Sequence, residues 1–359
     1  MLDLTELLRY TVEQGGSDLH VKVGSVPHVR VDGHLMPAPF DRVAAAEAER
    51  MGFTILPKER ADEFVETAEA DFAHSVPGLG RFRVNIFRQR GSVGLVFRRV
   101  LPGIPSFESL GLPGVVRRLA DENRGLVLVT GPTGSGKTTT IAAMIDHINA
   151  TKAVNIVTIE DPIEVLHVDN KALVNQREIG SDTRDYSMAM KRVLRQDPDV
   201  IFVGEMRDPE TVAAALAAGE TGHLVFSTLH TTDAVETVNR IVDFFPPYQQ
   251  RQVRLSLASS LRGVISQRLL ERADRRGRVP AVEVLVMTGR VFDRVIDSDT
   301  QETIEEVIAD GEYYGMQTFD QSLFGLYKDG LVSLRDAMAA STHPHDLRIK
   351  LQQAGVLAV

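Results

Sequence analysis

Cysteine is absent from all 359 residues. That one absence excludes structural disulfides, thiolate-ligated zinc, iron–sulfur clusters and a cysteine nucleophile, and it fits a cytoplasmic chain. No run approaches the roughly 18 consecutive apolar residues that a bilayer-spanning helix needs. The opening MLDLTELLRYTVEQGGSD places acids among its apolar residues and has no uninterrupted apolar core, so it does not read as a signal peptide. Any membrane association is therefore expected to come through a partner. Positive charge is also in deficit: a net charge of −9 argues against bulk-charge binding of duplex DNA. The remaining composition is ordinary. Hydrophobic residues make up 43% and charged residues 25%, which is globular usage, and the length suits two or three domains.

Along the chain, residues 1–100 read as a mixed α+β unit. A helical opening (Leu4, Leu7, Leu8, Val12) leads into an alternating stretch that ends on Asp32 and Gly33, a hairpin-type turn signal. The Ala/Glu-rich 43–69 reads as helix. Residues 81–87 alternate, with Arg81, Arg83 and Asn85 on one face and Phe82, Val84 and Ile86 on the other. Proline and glycine then crowd 101–114 (Pro102, Pro105 and Pro113; Gly103, Gly111 and Gly114), which marks a linker. From 115 to 288, apolar runs at 126–130, 154–159, 200–203 and 224–227 alternate with helical segments, as in a parallel sheet covered by helices. One helix carries its own signals: Asp208 as cap, Pro209 at the first position and Gly219 just past the end. Another runs 234–242 with Val235, Val238 and Val242 on one face. Residues 289–359 read as helical, and 272–278 as a solvated loop.

The chemistry concentrates in a few blocks. Gly131, Pro132, Thr133, Gly134, Ser135, Gly136, Lys137 and Thr138, followed by Thr139, match the phosphate-loop pattern between an apolar run and a helix. Its glycines let backbone N–H groups converge on phosphate oxygens at a helix N-terminus. Lys137 is placed for the β/γ-phosphates and the Thr138 hydroxyl for Mg²⁺, so the chain is expected to bind a nucleoside triphosphate. Two apolar runs end in acids, Glu160–Asp161 and Glu205. In a parallel sheet these ends share the edge that carries the phosphate loop, where carboxylates reach metal and attacking water. Asp199, at a strand's start, is expected at the opposite edge in a structural role. His223 and His230 bracket a strand and read as a nucleotide-state sensor. Arg195 and Arg207, with Arg81, Arg83, Arg98 and Arg99 in the first unit, are the candidates to approach the triphosphate from outside the loop.

Four blocks in order, GPTGSGKTTT, IVTIEDPIE, LRQDPDVIFVGEMRDPET and TGHLVFSTLHTTDA, resemble the secretion ATPases that power type II secretion and type IV pili. The retraction branch is suggested by Ser17-Asp18-Leu19-His20, RFRVNIFRQR, GMQTFDQSL and THPHDLRIKL. The resemblance implies a PAS-like domain (1–100), a linker (101–114), a RecA-like ATPase core (115–288) and a C-terminal helical region (289–359). It also implies a hexameric ring with nucleotide between the two domains. Site roles follow from the same resemblance: Glu160 polarises water, Glu205 lies near Mg²⁺, and His223 and His230 are the box histidines. Arg83, Arg98, Arg195 and Arg207 face nucleotide at domain and subunit boundaries. ATP and Mg²⁺ are the implied ligands, and a platform protein of the inner membrane is the implied partner. Direct nucleic-acid binding is not expected. The segment GRVFDRVIDSD (289–299) stands where retraction members carry an AIRNLIRE-like sequence. Its Val291, Phe292, Val295 and Ile296 form an apolar face, with Arg290, Asp293, Arg294 and Asp297 on the side expected to be wet. The alternatives are a pilus-extension or type II secretion ATPase, a nucleic-acid motor on the same core, and a phosphate-loop binding module without turnover. Extension and secretion members usually carry a tetracysteine zinc element that this chain lacks. The acidic net charge and the lack of basic-aromatic stacking surfaces count against the nucleic-acid motor.

Overall fold

The computed structural model describes residues 2–31, 33–100, 103–297 and 302–357, and these divide into two units. The first holds residues up to Gly103 together with Pro162–Leu166. Helix α1 (Leu4–Glu13) starts at Asp3, whose side chain accepts from Glu6 N, and buries Leu7 and Leu8. Strands β1 (Asp18–Lys22), β2 (His28–Val31) and β3 (His34–Pro37) come next, with Val31 paired to His34 across the turn; Asp32 lies outside the described residues. The 43–69 stretch is two helices rather than one, α2 (Ala45–Ile55) and α3 (Lys58–Thr67). Pro57 separates them, because it has no N–H to continue α2 and its fixed φ of −62° suits a helix start. Strand β4 (Glu69–Val76), not anticipated, leads to β5 (Gly80–Gln89) and β6 (Ser92–Arg99).

The antiparallel order is β3-β2-β1-β6-β5-β4. Phe82, Val84 and Ile86 point into the core as the alternation requires, each with 0–1% of its surface exposed. On the other face, register sets Arg30, Asp18, Arg98 and Arg83 side by side on four adjacent strands. Burial works against the Asp18 charge, but hydrogen bonds from Arg98 and Ser17 outweigh it and hold the carboxyl below its ordinary range.

The second unit opens with α4 (Phe107–Leu110) and α5 (Gly114–Ala120), so the proline-rich segment is partly helical. Ser106 caps α4, and Phe107 is buried; Leu101 and Pro102 lie outside the described residues. Its sheet is built from β7 (Gly125–Thr130), β8 (Asn155–Glu160), β9 (Leu173–Glu178), β10 (Val200–Val203), β11 (Leu224–Leu229), β12 (Leu261–Glu271) and β13 (Arg278–Val286). Six strands run parallel in the order β12-β7-β11-β10-β8-β9, and β13 adds an antiparallel edge. The four anticipated runs are β7, β8, β10 and β11, and all but one of their residues are fully buried. Strands β9, β12 and β13 were not anticipated: β9 is a polar edge, and arginines and glutamines interrupt the apolar pattern of β12.

Helix α6 (Lys137–Thr151) covers one sheet face. Helices α7 (Tyr186–Val193), α8 (Pro209–Glu220), α9 (Ala234–Asp243) and α10 (Pro247–Ser260) cover the other. Asp208 does cap α8, accepting from both Thr211 N and Thr211 Oγ1, but the helix continues through Gly219 to Glu220. Gly219 is there for close approach, since a Cβ would stand 3.3 Å from the Gly125 carbonyl carbon and from Ser260 Cβ. Gly222, with φ +114°, takes the turn beyond.

Helices α11 (Gly289–Ile296), α12 (Ile304–Ala309), α13 (Phe319–Lys328), α14 (Leu334–Ala340) and α15 (Pro344–Gln353) complete the unit. Phe319, Leu323, Leu347 and Leu351 pack on Leu270, Val279 and Ala281 of the β12–β13 hairpin. Arg272 and Asp274 pair on the exposed loop that joins those strands. At α11, Val291 and Val295 are buried and Arg290, Asp293 and Asp297 are exposed, as expected, while Arg294 is partly covered. Arg290 bonds Glu302 and lies 3.3 Å from Asp310, and Arg294 is only 20% exposed and 3.6 Å from Glu302. Ser298 and Asp299 of that segment lie outside the described residues.

Gly125 provides a stability test. Its φ of +113° belongs to glycine, and a Cβ there would stand 2.6 Å from Ser260 O. Gly125→Ala is expected to lower unfolding stability by roughly 2–4 kcal/mol in a urea titration.

Candidate active site

The parallel register brings the chemistry to one edge. Strand β7 ends at Thr130, and after the six residues 131–136 α6 starts at Lys137, with its first-turn N–H groups facing the loop between them. Gly131, Gly134 and Gly136 have φ of +141°, +80° and +94°, conformations that side chains rarely adopt. Gly131 is doubly required: a Cβ would fall 2.4 Å from Gln267 O and 2.6 Å from Ser135 Oγ. Lys137 Nζ donates to Gly131 O at 2.7 Å and Pro132 O at 3.1 Å, so the cation lies along the loop. Thr138 and Thr139 follow in the first turn of α6. Next, Thr140 Oγ1 accepts from the buried Gln267 Nε2 at 2.9 Å, which ties α6 to β12. The Pro132 and Thr133 backbone spans the loop's tip.

Strand β8 delivers Glu160 to the same edge. Its side chain is buried, and Oε1 accepts from Thr158 Oγ1 at 2.6 Å and Gln176 Nε2 at 3.1 Å. One strand over, Glu205 follows β10 by two residues. Its Oε2 accepts from Arg207 at 2.7 Å, and its Oε1 lies 3.3 Å from His230 Nε2, just past β11. Glu205, Arg207 and His230 therefore form one contact group.

Tyr186 belongs here too, although the sequence did not point to it. It is the first residue of α7, capped by Asp185, and its hydroxyl packs against the backbone at Gly204. Burial first, and then the carboxylates of Asp161, Glu205 and Glu160, push its phenol far above the ordinary range, with Arg207 opposing. No local pattern marks it, because only the fold brings 186 beside 204.

Two expected members are elsewhere. His223 precedes β11, where its Nδ1 meets Ala218 O at 3.1 Å and its carbonyl accepts from Gly125 N at 2.9 Å, at the start of β7. A strand of six residues separates it from His230, about 20 Å at strand rise. Two histidines that bracket a strand necessarily sit at opposite sheet edges. Arg195 likewise lies between α7 and the start of β10, on the edge of Asp199, whose Oδ2 accepts from Asn155 N at 2.8 Å. Neither His223 nor Arg195 reaches the phosphate loop of its own chain. Arg83 and Arg98 belong to the first unit, where Arg98 Nε donates to Asp18 at 2.8 Å and Arg83 stands 3.5 Å from Glu164.

A glycine-rich loop between a central parallel strand and a helix, beside acids ending neighbouring strands, defines a phosphate-loop nucleotide-binding protein. Residues 113–314 match the family described as type II/IV secretion system protein, and the chain belongs to that family. It is 45% identical over 345 residues to the type IV pilus retractation ATPase PilT of Pseudomonas aeruginosa, covering 96% of this chain and all of that one. A twitching motility protein of Neisseria gonorrhoeae is 44% identical over 307 residues, covering 86% of this chain and 82% of that one. Among solved structures, the pilus retraction motor PilT with bound ADP superposes with a TM-score of 0.89 at 45% identity, covering 97% of this chain and all of that one.

Thr158→Val keeps the shape of the side chain but removes a donor from a buried carboxylate. It should lower stability by about 1–3 kcal/mol in chemical denaturation, and Thr158→Ser should recover most of the loss.

Proposed function

We propose that this chain is an ATP-hydrolysing ring motor that drives retraction of a type IV pilus. The observation that carries the reading is near full-length identity of 45% to a pilus retractation ATPase, and the edge where phosphate loop and carboxylates meet supports it. In this reading residues 131–139 cradle the phosphates and Lys137 neutralises the β/γ-oxygens. Glu160, fixed by Thr158 and Gln176, orients the attacking water. Glu205, exchanging partners among Arg207, His230 and the nucleotide, links hydrolysis to the loop after β11.

Mg²⁺ suits the donors present. Thr138, Glu160 and Glu205 offer hard oxygen ligands, and among the described residues no cluster of three acids or histidines forms a cage. That matches an ion bound mainly through phosphates and one or two protein groups. When bound, Mg²⁺ would neutralise charge on the phosphates. The first unit, read as PAS-like, carries Arg83 and Arg98, to which the family resemblance gives a nucleotide-facing role. His223 and Arg195, on the far edge, act only where another copy presents them, which makes the ring, a homohexamer, part of the site. No helix among the described residues is long and apolar enough to cross a membrane. On its likeness to a pilus retractation ATPase, we read the motor as held at the cytoplasmic face of the inner membrane by a pilus platform protein.

Lys137→Ala should lose nucleotide binding and turnover together. Glu205→Gln should retain binding and lose roughly 10²–10⁴-fold in turnover, measured by phosphate release; wild-type turnover in Glu205→Gln would remove that carboxylate from catalysis. In the source bacterium, deleting the gene should abolish twitching while leaving excess surface pili. Loss of all pili would overturn retraction in favour of extension.

A further inference from the structure

Glu283 of β13 lies outside the phosphate loop and the acid pair, with 6% of its surface exposed. Its Oε1 accepts from Ala234 N at 2.8 Å, the first N–H of α9. Helix α9 begins four residues after His230, and between them the Thr231 hydroxyl is locked to that of Thr237 at 2.6 Å. The carboxylate therefore holds one end of a short loop whose other end presents His230 to Glu205.

Two more connections converge on the same residue. Across the sheet Glu283 faces Ser266, and Ser266 faces Thr130. Thr130 Oγ1 donates to Ser266 Oγ at 2.9 Å in a fully buried pair, immediately before Gly131. Two residues further along β12, Arg268 donates to Ala340 O at the end of α14, and its guanidinium stands 3.8 Å from the Phe319 ring of α13. Beside Glu283 a cavity of about 580 Å³ is lined also by Asp233, Glu236, Arg240, Glu305 and Thr342.

We propose that Glu283 is a positioning residue that couples the nucleotide site to the C-terminal helices, its carboxylate fixing the His230 loop while its charge responds to Arg268 and Glu305. This deepens the ATPase reading and rests on it. The groups facing Glu283 are Asp233, Glu236 and Arg240 from α9 and its cap, Arg268 from β12 and Glu305 from α12, with Asp320 of α13 acting through Arg268. Burial pushes the carboxyl up to about 7; the Ala234 N–H opposes, Asp233 and Glu305 add repulsion, and Arg268 draws it back. Both protonation states are thus populated near neutrality. A movement of α12, or of the turn that Arg268 holds, shifts the balance between them. Because a charged acceptor grips an N–H about twice as strongly as a neutral one, that shift loosens or tightens the loop of His230.

The full-length chain is tested in two ways. ATP turnover is measured for wild type and Glu283→Gln from pH 6 to 8. The wild-type to variant ratio should rise with pH through neutrality to about threefold, while KM for ATP stays within about twofold because the phosphate loop is untouched. Hydrogen–deuterium exchange of residues 230–236 should speed about tenfold in Glu283→Leu at pH 8, with a smaller increase in Glu283→Gln. A pH-independent ratio overturns the proposal, and so does unchanged exchange in a folded Glu283→Leu. If Glu283→Leu does not fold, the exchange of Glu283→Gln decides. If the wild-type protein hydrolyses no ATP, the ATPase reading fails, and the exchange measurement still decides whether Glu283 positions the loop.

Discussion

Parallel pairing is the constraint on which the second unit depends. Because β7, β11, β10 and β8 run the same way, Thr130, Leu229, Val203 and Ile159 all finish at one edge. The phosphate loop, His230, Glu205 and Glu160 either end those strands or come directly after them in the chain. The same rule assigns the opposite edge to residues that precede a strand, and His223, Asp199 and the Arg195 segment obey it. Chemistry in this unit is sorted by strand polarity before any side chain chooses a partner.

At the active edge the two glutamates live in different surroundings. Thr158 and Gln176 donate to a Glu160 that is almost wholly enclosed. Arg207 and His230 meet a more accessible Glu205, and Arg207 is itself 59% exposed. Enclosed neutral donors fix a carboxylate's direction, while exposed charged partners exchange readily because solvent can replace them. One acid is therefore built to stay and the other to switch, as the proposed motor would require of a site that orients water and reports the outcome.

Much of this was legible from sequence. The phosphate loop is a covalent pattern, and the strand-ending acids announce themselves because uninterrupted apolar runs stop at them. The alternation in β5 reveals its inward face directly. Features that depend on residues distant along the chain escaped. Gly219 reads as a terminator until Gly125 is found against it. Tyr186 is an unremarkable helix-start aromatic until Gly204 arrives beside its hydroxyl. Strands β12 and β13 carry buried polar residues such as Ser266, Gln267 and Glu283, whose partners lie on other elements, so their apolar rhythm is broken. Arg294 looks wet on a helical wheel because the wheel does not contain Glu302.

The strand order also bears on how the chain is made. Strand β7 lies inside the sheet, yet neither of its neighbours is adjacent in sequence: β11 begins roughly ninety residues later and β12 later still. At about 5–20 residues per second of synthesis, β7 emerges from the ribosome and waits roughly 5–20 seconds for its first partner. Throughout that interval a strand buried on both faces in the finished protein presents two unpaired hydrogen-bonding edges to the cell. The segment that leads into the phosphate loop is thus also the one that most needs shielding while the chain is being made.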